Sequence, residues 1–137
     1  MAANTDPIFV DGAINTTANT SIGTTILPAD TTDVKDVVSG ATDGTLIYDL
    51  VASTDETVAR DLTVYLHDGA VSWPLGQVTV GIGATSVSLL NTTDIPSLDK
   101  RDDGGILLAT GQKLQVSSDA SVTEDKTIWV VALGGNF

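Results

Sequence analysis

Residues 61–80 read Asp-Leu-Thr-Val-Tyr-Leu-His-Asp-Gly-Ala-Val-Ser-Trp-Pro-Leu-Gly-Gln-Val-Thr-Val, and their periodicity decides the fold class. Leu62, Val64 and Leu66 alternate with Thr63, Tyr65 and His67, the period-two pattern of a strand with one face on a core. Asp68-Gly69 follows at once, and this dipeptide supplies the positive φ angles that tight turns need. A second strand runs from Val71 to Val80, with Val78 and Val80 alternating around Thr79. Pro74 has no amide hydrogen to give to a ladder, so this strand is expected at a sheet edge or with a bulge at that point.

The same grammar extends outward in both directions. Short β-favouring runs at residues 24–27, 34–38, 45–52, 86–91, 113–117 and 127–133 are separated by turn residues, and Leu114 and Val116 alternate around Gln115. Further Asp-Gly pairs stand at Asp11-Gly12, Asp43-Gly44 and Asp103-Gly104. Residues 32–38 could form one helical turn capped by Asp33, but Val34, Val37 and Val38 are β-branched and favour a strand. No stretch shows helical periodicity over three turns. The expectation is an all-β protein, an antiparallel β-sandwich or jelly roll with little or no helix. Residues 1–24 are polar and rich in Thr and Asn, and read as an amino-terminal arm; residues 25–137 read as the β-sandwich domain. The one apolar cluster of the arm, Pro7, Ile8, Phe9 and Val10, is too short to bury itself, so it packs either on its own domain as an edge strand or on a neighbour, and it is the candidate partner-binding segment.

Composition narrows the function. The 137 residues hold 18 acidic and six basic side chains, for a formal charge of -12. Such a chain repels phosphate backbones, so nucleic acid is excluded as an expected partner. Only Glu56 and Glu124 among the acids are Glu; the Asp bias points to turns. Cysteine is absent, which removes disulfides, thiolate metal sites and a cysteine nucleophile. The first residues lack the basic and apolar regions of a signal peptide, and the longest apolar run, residues 128–133, is too short to span a bilayer. A soluble protein made in a cytoplasm, with no membrane partner, is expected. The sequons beginning at Asn15, Asn19 and Asn91 then read as Thr-rich loops.

Candidate chemistry is sparse. The single histidine, His67, stands beside Asp68, but neighbouring strand residues point to opposite faces and Gly69 draws Asp68 into a turn. No Gly-x-Ser-x-Gly elbow is present. The acidic loop at residues 98–105 contains Lys100 and Arg101 and lacks the alternating oxygen ligands of a calcium loop. Gly81-Ile82-Gly83-Ala84 lacks the third glycine and following helix of a dinucleotide site, and reads as a turn between Val80 and Ser86. Trp73, Trp129, Tyr48 and Tyr65 are expected inside the core or at a subunit contact rather than in a sugar-stacking platform. No catalytic residue, metal site or cofactor is expected.

Residues 61–69, followed by Trp73-Pro-Leu-Gly-Gln-Val-Thr-Val80, resemble a pattern in small virion proteins of tailed bacteriophages. Gly111-Gln-Lys-Leu-Gln-Val116 and the ending Gly134-Gly135-Asn136-Phe137 are similar to later parts of that pattern, which spans Gly44 to Phe137. The resemblance implies a head decoration, or cement, protein: a compact β domain on the capsid surface, homotrimeric, with the major capsid protein as its partner and the virion as its location. The alternative is a tail-associated receptor- or carbohydrate-binding β domain.

Overall fold

The computed structural model describes residues 12–13, 23–90 and 105–137. Among the described residues ten strands are formed: β1 Gly12–Ala13, β2 Gly23–Ile26, β3 Lys35–Ser39, β4 Thr45–Thr54, β5 Arg60–His67, β6 Ser72–Val80, β7 Val87–Ser88, β8 Ile106–Leu108, β9 Lys113–Ser118 and β10 Ile128–Asn136. A single 3-10 turn, Pro28–Asp30, is the only helical element among the described residues. The strands make two antiparallel sheets packed face to face, a β-sandwich.

In the first sheet β10 is central. β4 lies along one side of it, and β1 and β2 pair end to end along the other. β7 and β8 close the far side of β4. The second sheet has the order β3-β9-β5-β6. Leu62 and Val64 of β5, Val78 and Val80 of β6, and Leu114 and Val116 of β9 face Ile47, Leu50, Ile128 and Val130 of the first sheet. Full burial of each such side chain stabilises the fold by roughly 1.5–3 kcal/mol. The described core is wholly aliphatic. Val, Ile and Leu fill the gap of about 10 Å between sheets without a polar tip to satisfy.

The hairpin at residues 61–80 forms as its pattern requires, with a four-residue connection. Gly69 has a φ of 106°, the Asp68 amide donates to the Val71 carbonyl (3.1 Å), and His67 pairs with Ser72. Both consequences of Pro74 appear: β6 is an edge strand, and the register with β5 shifts between Val64 and Tyr65. Residues 35–39 are strand, and the capped helical turn at Asp33 does not form.

Several boundaries differ from expectation. β8 carries no period because it is three residues long, and it exists through its pairing with Thr45, Leu46 and Ile47 of β4. β10 runs past Leu133 through two glycines, which sequence propensity marks as a stop. The register shift between Leu133 and Gly134 explains it: a Cβ at Gly134 would collide with the Leu46 carbonyl, so only glycine allows that approach. Among the described residues 86–90 only Val87 and Ser88 form a strand, β7, and the Leu89 amide adds a bond to the Leu50 carbonyl (2.8 Å). Gly12 lies in β1 against Asn136, and Gly23 and Thr24, within the expected arm, pair with Val131 and Val130. Pro7, Ile8, Phe9 and Val10 lie outside the described residues, as do Asp103-Gly104, the three sequons and residues 98–104 of the acidic loop.

Candidate functional site

The residues with the most chemical potential gather on the outer face of the second sheet. Strand alternation puts Asp61, Thr63, Tyr65 and His67 of β5 on this side, beside Lys113, Gln115 and Ser117 of β9. The Ser72 hydroxyl donates to Gln115 Oε1, and Gln115 Nε2 donates to Asp36 Oδ1 at 2.6 Å. With its one proton committed to Gln115, Ser72 accepts from His67 Nδ1 (3.2 Å), so the imidazole holds a proton where a general base would need a lone pair. This dyad therefore does not activate the serine. Tyr65 bonds Ser117 (3.0 Å), Gln77 donates to Thr63 (3.1 Å), and Thr79 donates to Asp61. The Gln115 amide and the Lys113 ammonium hold the Asp36 carboxyl below its ordinary range.

At the hairpin, Asp68 serves the turn. Its Oδ2 accepts from Trp73 Nε1 (2.9 Å), and its Oδ1 accepts the amides of Val71 and Ala70. These bonds, that from Trp73 foremost, draw its pKa down to about 2. His67 and Asp68 thus form no acid–base pair. Gly81 to Ala84 make the expected turn, closed by the Ala84 amide on the Gly81 carbonyl.

Among the described residues one carboxylate is buried. Glu56, 1% exposed, follows β4 and accepts Arg60 Nε (2.7 Å) and the Thr123 amide (3.1 Å) on Oε2 and the Thr57 amide (3.1 Å) on Oε1. Burial alone would raise its pKa, but the bonds from Thr123, Arg60 and Thr57 outweigh it and hold the value at about 2. The Glu56 carbonyl also accepts the Gly83 amide, so this residue ties three loops together at one end of the sandwich. All its acceptor oxygens are spoken for by neighbours, which makes it a structural carboxylate. Among the described residues no group of three or more His, Asp or Glu is placed to hold a metal ion, and no helix is long and apolar enough to cross a membrane.

The outer face of the first sheet is chemically the opposite. On β10, Ile128, Val130 and Ala132 point into the core, and alternation turns Trp129, Val131 and Leu133 outward, 44%, 41% and 50% exposed. Val51 lies beside Val131, and Leu46 lies beside exposed Leu107. Tyr48 is exposed at the bulge of β4. Thr25, Ser53 and Ser88 complete the face, with Asp49 as its one charged group among the described residues. Asp49 accepts the Ser88 hydroxyl at 2.7 Å.

All four aromatic side chains expected in the core or at a contact, Trp73, Trp129, Tyr48 and Tyr65, lie outside the core, because aliphatic residues fill the space between the sheets. They do not converge on one platform. Trp73 belongs to the second sheet, and Trp129 and Tyr48 stand five residues apart along the ladder, about 16 Å.

The apolar row escaped the reading of residues for chemistry, but its signal is present. Residues 128–133 are apolar without interruption, and in an antiparallel sheet such a strand has apolar side chains on both faces. No protein-family model, curated protein or solved structure matches the chain.

Proposed function

We propose that this chain is a structural virion protein, a capsid decoration protein that binds the outer surface of a phage head as a trimer, with the major capsid protein as its partner, and stabilises the head. In this reading it carries no catalytic residue and no cofactor. The observation that supports it best is the outward row Trp129, Val131 and Leu133, large apolar side chains presented to solvent on a well-packed scaffold. Exposed apolar patches of this kind mark interaction sites. The mechanism is mass action: a protein that binds the assembled lattice but not separated subunits stabilises the lattice. Contacts from three copies act together by effective concentration. Pro7, Ile8, Phe9 and Val10 are proposed as a second, anchoring contact.

The test is to mix the purified protein with heads assembled without it and to measure co-sedimentation and heat resistance. Binding with a raised disruption temperature is expected; heads that neither bind nor gain stability would sink the proposal. Light scattering should give the mass of a trimer, and deletion of residues 1–10 should weaken binding while the β-sandwich stays folded.

A second reading, a tail-associated receptor- or carbohydrate-binding domain, has one observation in its favour. Trp73 is 56% exposed beside the hairpin turn, with its indole held by Asp68. Glycan binding by the isolated protein that Trp73→Ala abolishes would promote it over decoration.

A further inference from the structure

The two outer faces of the sandwich divide the labour of the surface. On the second sheet, polar side chains bond one another across the strands and Lys113 pairs with Asp36 at 3.0 Å. The first sheet presents Leu46, Tyr48, Leu107, Trp129, Val131 and Leu133, and among the described residues this face carries no Lys or Arg. Twelve described carboxylates stand against four described cations, and three of those cations, Lys35, Arg60 and Lys113, are engaged by Asp30, Glu56 and Asp36.

Acidic groups flank the apolar face at both ends and in the middle. Asp43 is exposed in the turn whose Gly44 carbonyl accepts the Phe137 amide, next to Leu107. Asp49 lies opposite Leu133. Asp55 accepts the Thr127 amide (2.8 Å), just ahead of Trp129. A surface complementary to this one has an apolar centre and a positive rim. A second copy of this chain would bring the same acidic rim against its own, and like charges across an interface are repulsive.

Size points the same way. β10 is nine residues long, about 30 Å, and four strand rows span about 14 Å, so the face covers roughly 450 Å². A stable two-body interface needs about 800 Å² from each partner. One face alone holds weakly, and firm attachment needs several copies acting on a shared lattice.

We propose that the outer face of the six-stranded sheet docks onto a protein surface with an apolar centre and a rim of lysine or arginine, and that this surface belongs to the assembled head. The inference rests on the decoration reading and identifies the face used and the chemistry of its partner. Val131→Glu puts a carboxylate in the middle of the face, and Gln77→Glu puts the same charge on the outer face of the other sheet. Asp43→Lys reverses one rim charge. Each variant is checked for fold by circular dichroism and melting, then titrated onto heads assembled without the protein, at about 50 and about 500 mM salt, where screening differs several-fold.

The expected results are at least a tenfold loss of affinity for Val131→Glu, a smaller loss for Asp43→Lys, no change for Gln77→Glu, and weaker wild-type binding at high salt. If wild type binds heads and folded Val131→Glu binds equally well, the face is not the docking surface and the inference falls alone. If wild type binds no heads, the decoration reading falls with it. A wild-type oligomer that Val131→Glu converts to monomer would assign the face to a second copy. Stronger head binding after deletion of residues 1–10 would assign it to the chain's own amino terminus. Either result overturns the inference.

Discussion

Replacing Glu56 by glutamine tests whether one buried carboxylate holds an end of the sandwich together. Its two oxygens receive three donors, from Arg60, Thr123 and Thr57, and its pKa lies at about 2 against an ordinary 4.5. A depressed carboxyl pKa means that the folded state binds its proton less readily than the unfolded chain. The stabilisation is therefore fully present above the unfolded pKa and is lost as pH falls toward about 2. The difference in pKa corresponds to about 3 kcal/mol at neutral pH. Glutamine keeps the shape but offers one oxygen, turns an amide group toward a donor, and leaves the Arg60 guanidinium, 14% exposed, without its counter-charge. The expected cost is about 3 kcal/mol, which for a chain of this length lowers the melting temperature by about 10 °C. Urea denaturation of wild type and Glu56→Gln at pH about 7 and about 2.5 measures it. The gap should narrow markedly at the lower pH, where wild type also begins to lose the charge. A loss below about 0.5 kcal/mol at neutral pH, or a gap that does not change with pH, would refute the assignment.

Three further outcomes are expected. Gly134→Ala forces a Cβ against the Leu46 carbonyl and should cost about 2–4 kcal/mol or prevent folding, whereas Gly81→Ala, which meets nothing within 4 Å, should stay within about 0.5 kcal/mol of wild type; thermal melts of the pair compare them. In a Trp129→Phe background, the fluorescence of Trp73 should titrate with a midpoint of about 2, reporting Asp68, and Asp68→Ala should abolish that transition. Leu114→Ala removes a fully buried side chain between the sheets and should cost about 2–5 kcal/mol, while Lys113→Ala, its exposed neighbour in the Asp36 pair, should cost under 1 kcal/mol; denaturant titration separates the two.

The β-sandwich was legible because its signals are local. Alternation in residues 62–66 and 113–117, the Asp68-Gly69 turn and the missing amide of Pro74 each act within a few residues, and the structure uses all of them. The apolar outer face of the first sheet was less legible. Trp129, Val131 and Leu133 stand in an uninterrupted apolar run, and only the pairing of β10 between β4 and β1 with β2 tells which three side chains turn away from the core. Nothing in the local sequence singles out Glu56, whose role appears only when Arg60 and Thr123 meet it in the fold.

The amino-acid sequence by itself determined the class of the fold, the hairpin, the edge or bulge that Pro74 imposes on β6 and the acidic surface, since period, turn chemistry and charge are properties of neighbouring residues or of simple totals. Tertiary structure alone decided the course of β10 through its glycines, the pairing of β8, the burial of Glu56 and the apolar outer face. Each of these depends on which distant strand or loop comes to lie alongside, and that is settled by sheet pairing and by the one core shared between the sheets.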